Sequence, residues 1–169
     1  MTSSLDQLRQ LLKPRVLSLV YEQQFGFTNK GNSSSLGGQY DREILITLRQ
    51  RADLIVTTAK TAEIEQYVQP KKPLILITTR KDAANWLKAE RLEFDDPKLL
   101  ALLKDKKILY ETGLQMSNKL FNRGLIDQIV LHHDKPEFST SELAAIDVET
   151  VNHFAFHDRY ISILERRGS

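Results

Sequence analysis

Cysteine is absent from this 169-residue sequence. Disulfides, thiolate nucleophiles and zinc–thiolate sites are therefore excluded. No apolar run reaches the length of a membrane span. There is no Walker-type loop and no GxGxxG fingerprint, so a P-loop or standard Rossmann reading has little support. Internal repeats and low-complexity linkers are missing as well. Charge of one sign is also scarce: 24 basic residues face 22 acidic ones, a formal net of +2. That balance argues against nucleic-acid and membrane partners. The opening residues, MTSSLDQLRQLL, are amphipathic and include Asp6, unlike a secretory signal. The cytoplasm is the expected compartment.

What is present is an ordinary globule, 41% hydrophobic and 27% charged, expected to form one domain over residues 1–169. Ser3 or Ser4 caps a helix through Leu12 that Pro14 ends. Arg15 to Tyr21 alternates as a first strand. Gly26 to Tyr40 is rich in Gly, Ser and Asn and reads as a loop that either lines a site or is disordered. Asp41 is expected to cap the next helix, with Ile44, Leu45 and Leu48 inward. Asp53–Thr57 and Leu74–Thr79 read as buried strands, with a short helix over Thr58–Val68 between them. Asp82 is a cap for a segment Ala83–Lys88, with Trp86 packed. Arg91–Phe94 reads as a short strand. Pro97 starts a helix that buries Leu99, Leu100, Leu102 and Leu103. Val148–Phe156 and Arg159–Leu164 read as a closing hairpin that turns near His157-Asp158.

The stretch ILYETGLQMSNKLFNRGLIDQIVL, from Ile108, reads as strand, turn, helix, strand, with Gly124 near the helix C-terminus. A glycine where a strand feeds a helix lets a phosphate approach the free N–H groups of the helix end, so Thr112-Gly113 is the best anion candidate. The same turn is also what any crossover connection needs. Alternating strands and helices imply a three-layer α/β fold with a mostly parallel central sheet and a C-terminal antiparallel hairpin. Such sheets bind ligands beyond the carboxyl ends of their strands. Three of those ends carry suitable groups: Thr57-Thr58-Ala59-Lys60-Thr61, Thr78-Thr79-Arg80 and Glu111-Thr112-Gly113. Brought together, they offer hydroxyls, cations and helix amides to several phosphates.

The order of these blocks resembles the dihydrofolate-reductase-like family of pyrimidine reductases, the reductase domain of riboflavin-biosynthesis deaminase/reductases. DREILITLRQRADLIVTT from Asp41 resembles that family's helix and strand ahead of the cofactor loop. TTAKTAEIEQY from Thr57 resembles the loop itself. LYETGLQMSNKLFNRGLIDQIVL resembles its glutamate-glycine-glycine strand and helix, and RYISILERR its last strand. The resemblance spans about Leu5 to Arg167. It implies NADPH as cofactor, with Thr57, Thr58, Lys60 and Thr61 facing the pyrophosphate and Thr78, Thr79 and Arg80 near the adenosine 2′-phosphate. Glu111, Thr112, Gly113, Leu114 and Gln115 are implied at the nicotinamide side and diphosphate, and Gln24, Ser33, Asp41 and Glu65 at the substrate. The implied reaction is NADPH-dependent reduction of a phosphoribosylamino-pyrimidine to its ribitylamino form. A homodimer is expected by the same analogy.

The sequence departs from the family pattern at named positions. Gln24 and Phe25 stand where the family has an acidic residue and a glycine, and Ala59 replaces the cofactor-loop glycine. Glu63 replaces an arginine, and Thr112 the first glycine of the later motif. Two readings therefore stand: a reductase acting on a small-molecule substrate, and a catalytically weak relative serving as a nucleotide-binding or structural subunit. No catalytic residue is assigned and no metal is expected, because His132, His133, His153 and His157 lack a clear third ligand and read as surface or partly buried histidines.

Overall fold

The structure is a computed structural model that describes residues 3–22, 26–28, 38–143 and 145–168. Gln24, Phe25 and Ser33 lie outside the described residues. In chain order the elements are α1 (Ser4–Leu11), β1 (Arg15–Glu22), β2 (Gly26–Thr28), α2 (Gly38–Arg51), β3 (Leu54–Thr58), α3 (Ala59–Glu65), β4 (Leu74–Ile77), β5 (Glu90–Leu92) and α4 (Pro97–Leu102). They continue with β6 (Ile108–Tyr110), α5 (Leu114–Asn122), β7 (Gln128–His133), β8 (Val148–Phe156) and β9 (Arg159–Arg166).

The strands join one sheet in the order β5-β4-β3-β6-β1-β7-β9-β8, with β2 paired to β1. From β5 to β7 every pairing is parallel. β9 turns antiparallel against β7, and β8 against β9. The expected C-terminal hairpin is therefore present. Its two-residue turn is His157-Asp158, with His157 at φ 56°. A register shift between Thr150 and Asn152 bulges the outer strand β8.

Alternation along the strands builds the three layers. Ile55, Leu74, Leu76, Leu109, Val130, Ile161 and Ile163 point to one face, where Leu8 of α1 and Ile44 and Leu48 of α2 cover them. Leu54, Val56, Ile75, Ile77, Tyr110, Ile129 and Leu131 point to the other, under Leu99 of α4, Leu103 just after it, and Leu120 and Phe121 of α5. A period of two on strands and near 3.6 on helices makes this division. Among the described residues no helix is long and apolar enough to cross a membrane.

Local expectations needed four corrections. Gly26–Thr28 is a strand, not loop, because its backbone pairs with Val20–Glu22 and Phe27 packs edge-on to Tyr21 at 4.9 Å. Asp41 is not a cap; α2 already begins at Gly38, which places Asp41 in its first turn. The segment after Asp82 forms turns rather than a helix. Its carbonyls at Ala83, Ala84, Leu87 and Ala89 accept hydrogen bonds from the Arg91 guanidinium, which replaces the bonds a helix would make internally. Trp86 is half exposed there, its indole N–H donating to the Tyr67 carbonyl at 2.8 Å. Gly124 does follow α5 at φ +73°, the left-handed conformation expected of a helix-ending glycine.

Candidate functional site

β4, β3 and β6 are neighbours in the sheet, although about fifty residues separate β3 from β6. Their carboxyl ends therefore lie side by side. α3 leaves β3 on the sheet face that carries Ala62, and α5 leaves β6 on the face that carries Leu120 and Phe121. Connections that leave adjacent parallel strands towards opposite faces open a crevice between them, the usual place for a ligand in an open α/β sheet.

A groove of about 500 Å³ occupies that crevice. Thr58, Lys60, Thr61, Thr78, Thr79, Arg80, Gly113, Leu114 and Gln115 line it. The three turns singled out from the sequence thus form one surface. Thr57, Glu111 and Thr112 do not line it. Thr57 is buried, and its hydroxyl donates to the Glu111 carbonyl at 2.7 Å, tying the end of β3 to the turn after β6. Buried Thr112 shares a 2.8 Å hydroxyl contact with Ser117, which shapes the first turn of α5. The Glu111 carboxylate faces away, towards Arg49.

Local chemistry sets what the groove can hold. The Thr58 hydroxyl accepts from the Thr61 amide at 3.0 Å and caps α3. α5 starts at Gly113, which offers no side-chain cap. Its φ of −67° suits any residue; what glycine provides is the lack of a side chain over the first amides of the helix. Lys119 also reaches the groove, and so do Ile64, Ile77 and Met116. Lys60 and Lys119 make no ion pair with any described residue, whereas Arg80 is paired with Glu63. Sequence reasoning missed Lys119. The signal was its i,i+4 spacing from Gln115, which puts both on one side of α5.

Beyond the β6 side of the groove lies a cluster of ionisable groups. Arg49 of α2 grips Glu111 with two bonds, Nε to Oε2 at 2.8 Å and Nη2 to Oε1 at 2.7 Å, and Nη2 also donates to the Tyr67 hydroxyl at 2.9 Å. Burial opposes the Arg49 charge, but Glu111 and Tyr67 outweigh it and hold its pKa above the ordinary arginine value. Burial, then the Glu111 charge, raises the Tyr67 hydroxyl. Glu65, the last residue of α3, is pushed from its ordinary 4.5 to about 8 by burial first and then by the charge of Glu111, with Arg49 opposing and Asp41 adding. At neutral pH Glu65 therefore carries its proton.

A second network joins four elements. Asp41 Oδ1 lies 3.3 Å from His132 Nδ1, Arg159 Nε donates to His132 Nε2 at 3.0 Å, and Arg159 Nη1 pairs with Glu22 at 2.9 Å. Since Arg159 donates to Nε2, the His132 proton sits on Nδ1 and is donated to Asp41. His132 and His133 are fully buried, where surface or partly buried positions were expected. Burial, then His153 and His132, lowers His133 to about 4, so it is neutral, with Nε2 2.8 Å from Ser162 Oγ. Among the described residues no cluster of ligands suits a metal.

Comparison with solved structures gives the architecture a name. A pyrimidine reductase-like protein from Corynebacterium diphtheriae superposes with a TM-score of 0.64 over 97% of this chain and 98% of its own, at 15% identity. Dihydrofolate reductase from Enterococcus faecalis, in complex with NADP(H) and RAB-propyl, gives 0.61 over 90% and 95%, at 13% identity. The fold is dihydrofolate-reductase-like. Acinetobacter baumannii RibD matches at 0.60 and 16% identity over 90% of this chain, which spans only 58% of the RibD chain. At these identities the likeness is one of fold. No family model and no curated protein matches the sequence.

Proposed function

We propose that this protein is an NADPH-dependent reductase of the riboflavin-pathway type, reducing a phosphoribosylamino-pyrimidine or a related small molecule. The observation that carries the proposal is the single groove formed by three turns at the ends of adjacent parallel strands. Its donor set fits a dinucleotide. Lys60 and Lys119 offer cations that pair with no carboxylate among the described residues, Thr58, Thr61 and Thr78 offer hydroxyls, and the open first turn of α5 offers amides. When bound, NADPH supplies the hydride. The chain's own residues bind and orient it. Glu65 holds a proton on a carboxyl close to the Arg49–Glu111 pair, where a reduction that also needs a proton can draw on it.

Titration of the folded protein with NADPH tests the proposal, followed by fluorescence. Saturable binding is expected. Lys60→Glu should weaken it about tenfold, since it removes one charge-assisted contact and adds repulsion. Absence of any nicotinamide nucleotide binding in a sample with an intact melting transition would overturn it. The reading of a nucleotide-binding protein without turnover is favoured by Gln24 and Phe25. If Gln24→Asp with Phe25→Gly creates turnover that the natural sequence lacks, that second reading is the correct one for this chain.

A further inference from the structure

Resting on the nucleotide reading above, the Glu63–Arg80 pair carries an inference of its own. Arg80 stands two residues past Thr78, and its backbone N–H donates to the Thr78 hydroxyl at 3.0 Å, which fixes the turn after β4. Its guanidinium Nη2 donates to Glu63 Oε1 on α3. Arg80, Thr78 and Thr79 also line a smaller adjoining cavity of about 240 Å³, completed by Lys81, Arg91, Glu93 and Asp96. Arg80 therefore lines both the main groove and this second chamber.

The charges around that place are mixed. Arg91 already donates to four backbone carbonyls. Glu63, Glu93 and Asp96 contribute three carboxylates against Arg80, Lys81 and Arg91. A phosphate monoester arriving at Arg80 must take the guanidinium from Glu63 and then sit beside a carboxylate. A hydroxyl meets no such conflict, because it can donate to Glu63 and accept from Arg80 at once. In dinucleotide sites generally, a carboxylate suits the ribose 2′-hydroxyl and an arginine the 2′-phosphate. Here one residue of each kind is present, and each holds the other.

We propose that Glu63 sets the choice of dinucleotide: by occupying Arg80 it cancels the advantage that a 2′-phosphate would have, so the protein binds NADPH and NADH with similar affinity. Glu63 is then a specificity residue and not a catalytic one. The pair is exposed, with side chains 39% and 57% accessible, so water and salt screen it and a large effect is not expected.

The test measures dissociation constants for NADPH and NADH with the natural protein, Glu63→Gln, Arg80→Gln and the double variant, each checked for an unchanged melting temperature. The natural protein should bind the two nucleotides within about threefold of each other. Glu63→Gln should tighten NADPH about fivefold, the upper end for one charged contact at an exposed site, and move NADH less than twofold. In the Arg80→Gln background the same change should have no such effect. The inference is overturned if Glu63→Gln shifts both nucleotides equally or neither. Failure of every variant to bind either nucleotide would instead remove the nucleotide reading and this inference with it, so the two failures are distinguishable.

Discussion

Arg49→Met should lower the unfolding free energy by about 3 kcal/mol, the lower end of what breaking a buried ion pair costs. The pair is not fully buried, since the Arg49 and Glu111 side chains are 29% and 10% accessible. The cost arises less from the lost contact than from what is left behind. Glu111 would be left in a largely buried place without its two donors, and Tyr67 would lose a hydrogen bond and the guanidinium 5.1 Å from its ring centre. Glu65 would lose the one cation that opposes its upward shift. Arg49→Lys retains a charge but not the planar fork, and an intermediate loss is expected. Adding Glu111→Gln to Arg49→Met should recover part of the loss, because it removes the stranded carboxylate. Urea denaturation at pH 7 is the measurement. A loss below about 1 kcal/mol would show that the cluster is solvated and contributes little, as exposed pairs do.

The second large effect is in the pH dependence of stability. Glu65 is raised to about 8 in the folded chain, against about 4.5 when unfolded. The folded state thus binds a proton that the unfolded state releases between those values. This contribution to stability is fully present below pH 4.5 and is lost as pH rises through 8. The slope from one such group approaches 1.4 kcal/mol per pH unit, roughly a few kcal/mol over the window. Glu65→Gln removes the ionisation and retains the shape. The variant should come close to the natural protein near pH 5 and exceed it by about 4 kcal/mol at pH 9, again on the linkage arithmetic. Parallel stability curves for the two proteins from pH 5 to 9 would dismiss the raised pKa. Under the proposed reductase activity, turnover should decline as pH rises through about 8, where Glu65 of the folded chain loses its proton.

The layers of the fold were legible because alternation and helical spacing report directly on which side chains are buried. Ile108–Tyr110 and Leu74–Ile77 have no other use for such runs. The groove residues were legible only as three separate turns. Their meeting depends on β6 lying between β3 and β1, and strand order leaves no mark on a local pattern. Thr57 illustrates the gap: its hydroxyl looked like a ligand group, yet the strand beside it takes that hydroxyl for the Glu111 carbonyl. Arg49 was passed over, and His132 was read as a surface or partly buried histidine, for a related reason. One sits on an ordinary helix and the other in an apolar strand, and their partners are 62 and 91 residues away in the chain. The Asp82–Lys88 segment misled because helix-forming residues there surrender their carbonyls to Arg91, a tertiary partner that local propensity does not see.

Because the groove hangs from three consecutive strands, its width is a backbone dimension. Two inter-strand steps separate the outer turns, roughly 10 Å for a regular sheet. Substituting Thr79, Arg80 or Gln115 alters how tightly a molecule is held but leaves that span as it is. The sheet acts as a ruler, and a ligand of different reach would call for rewiring the strands, not for new side chains along the rim.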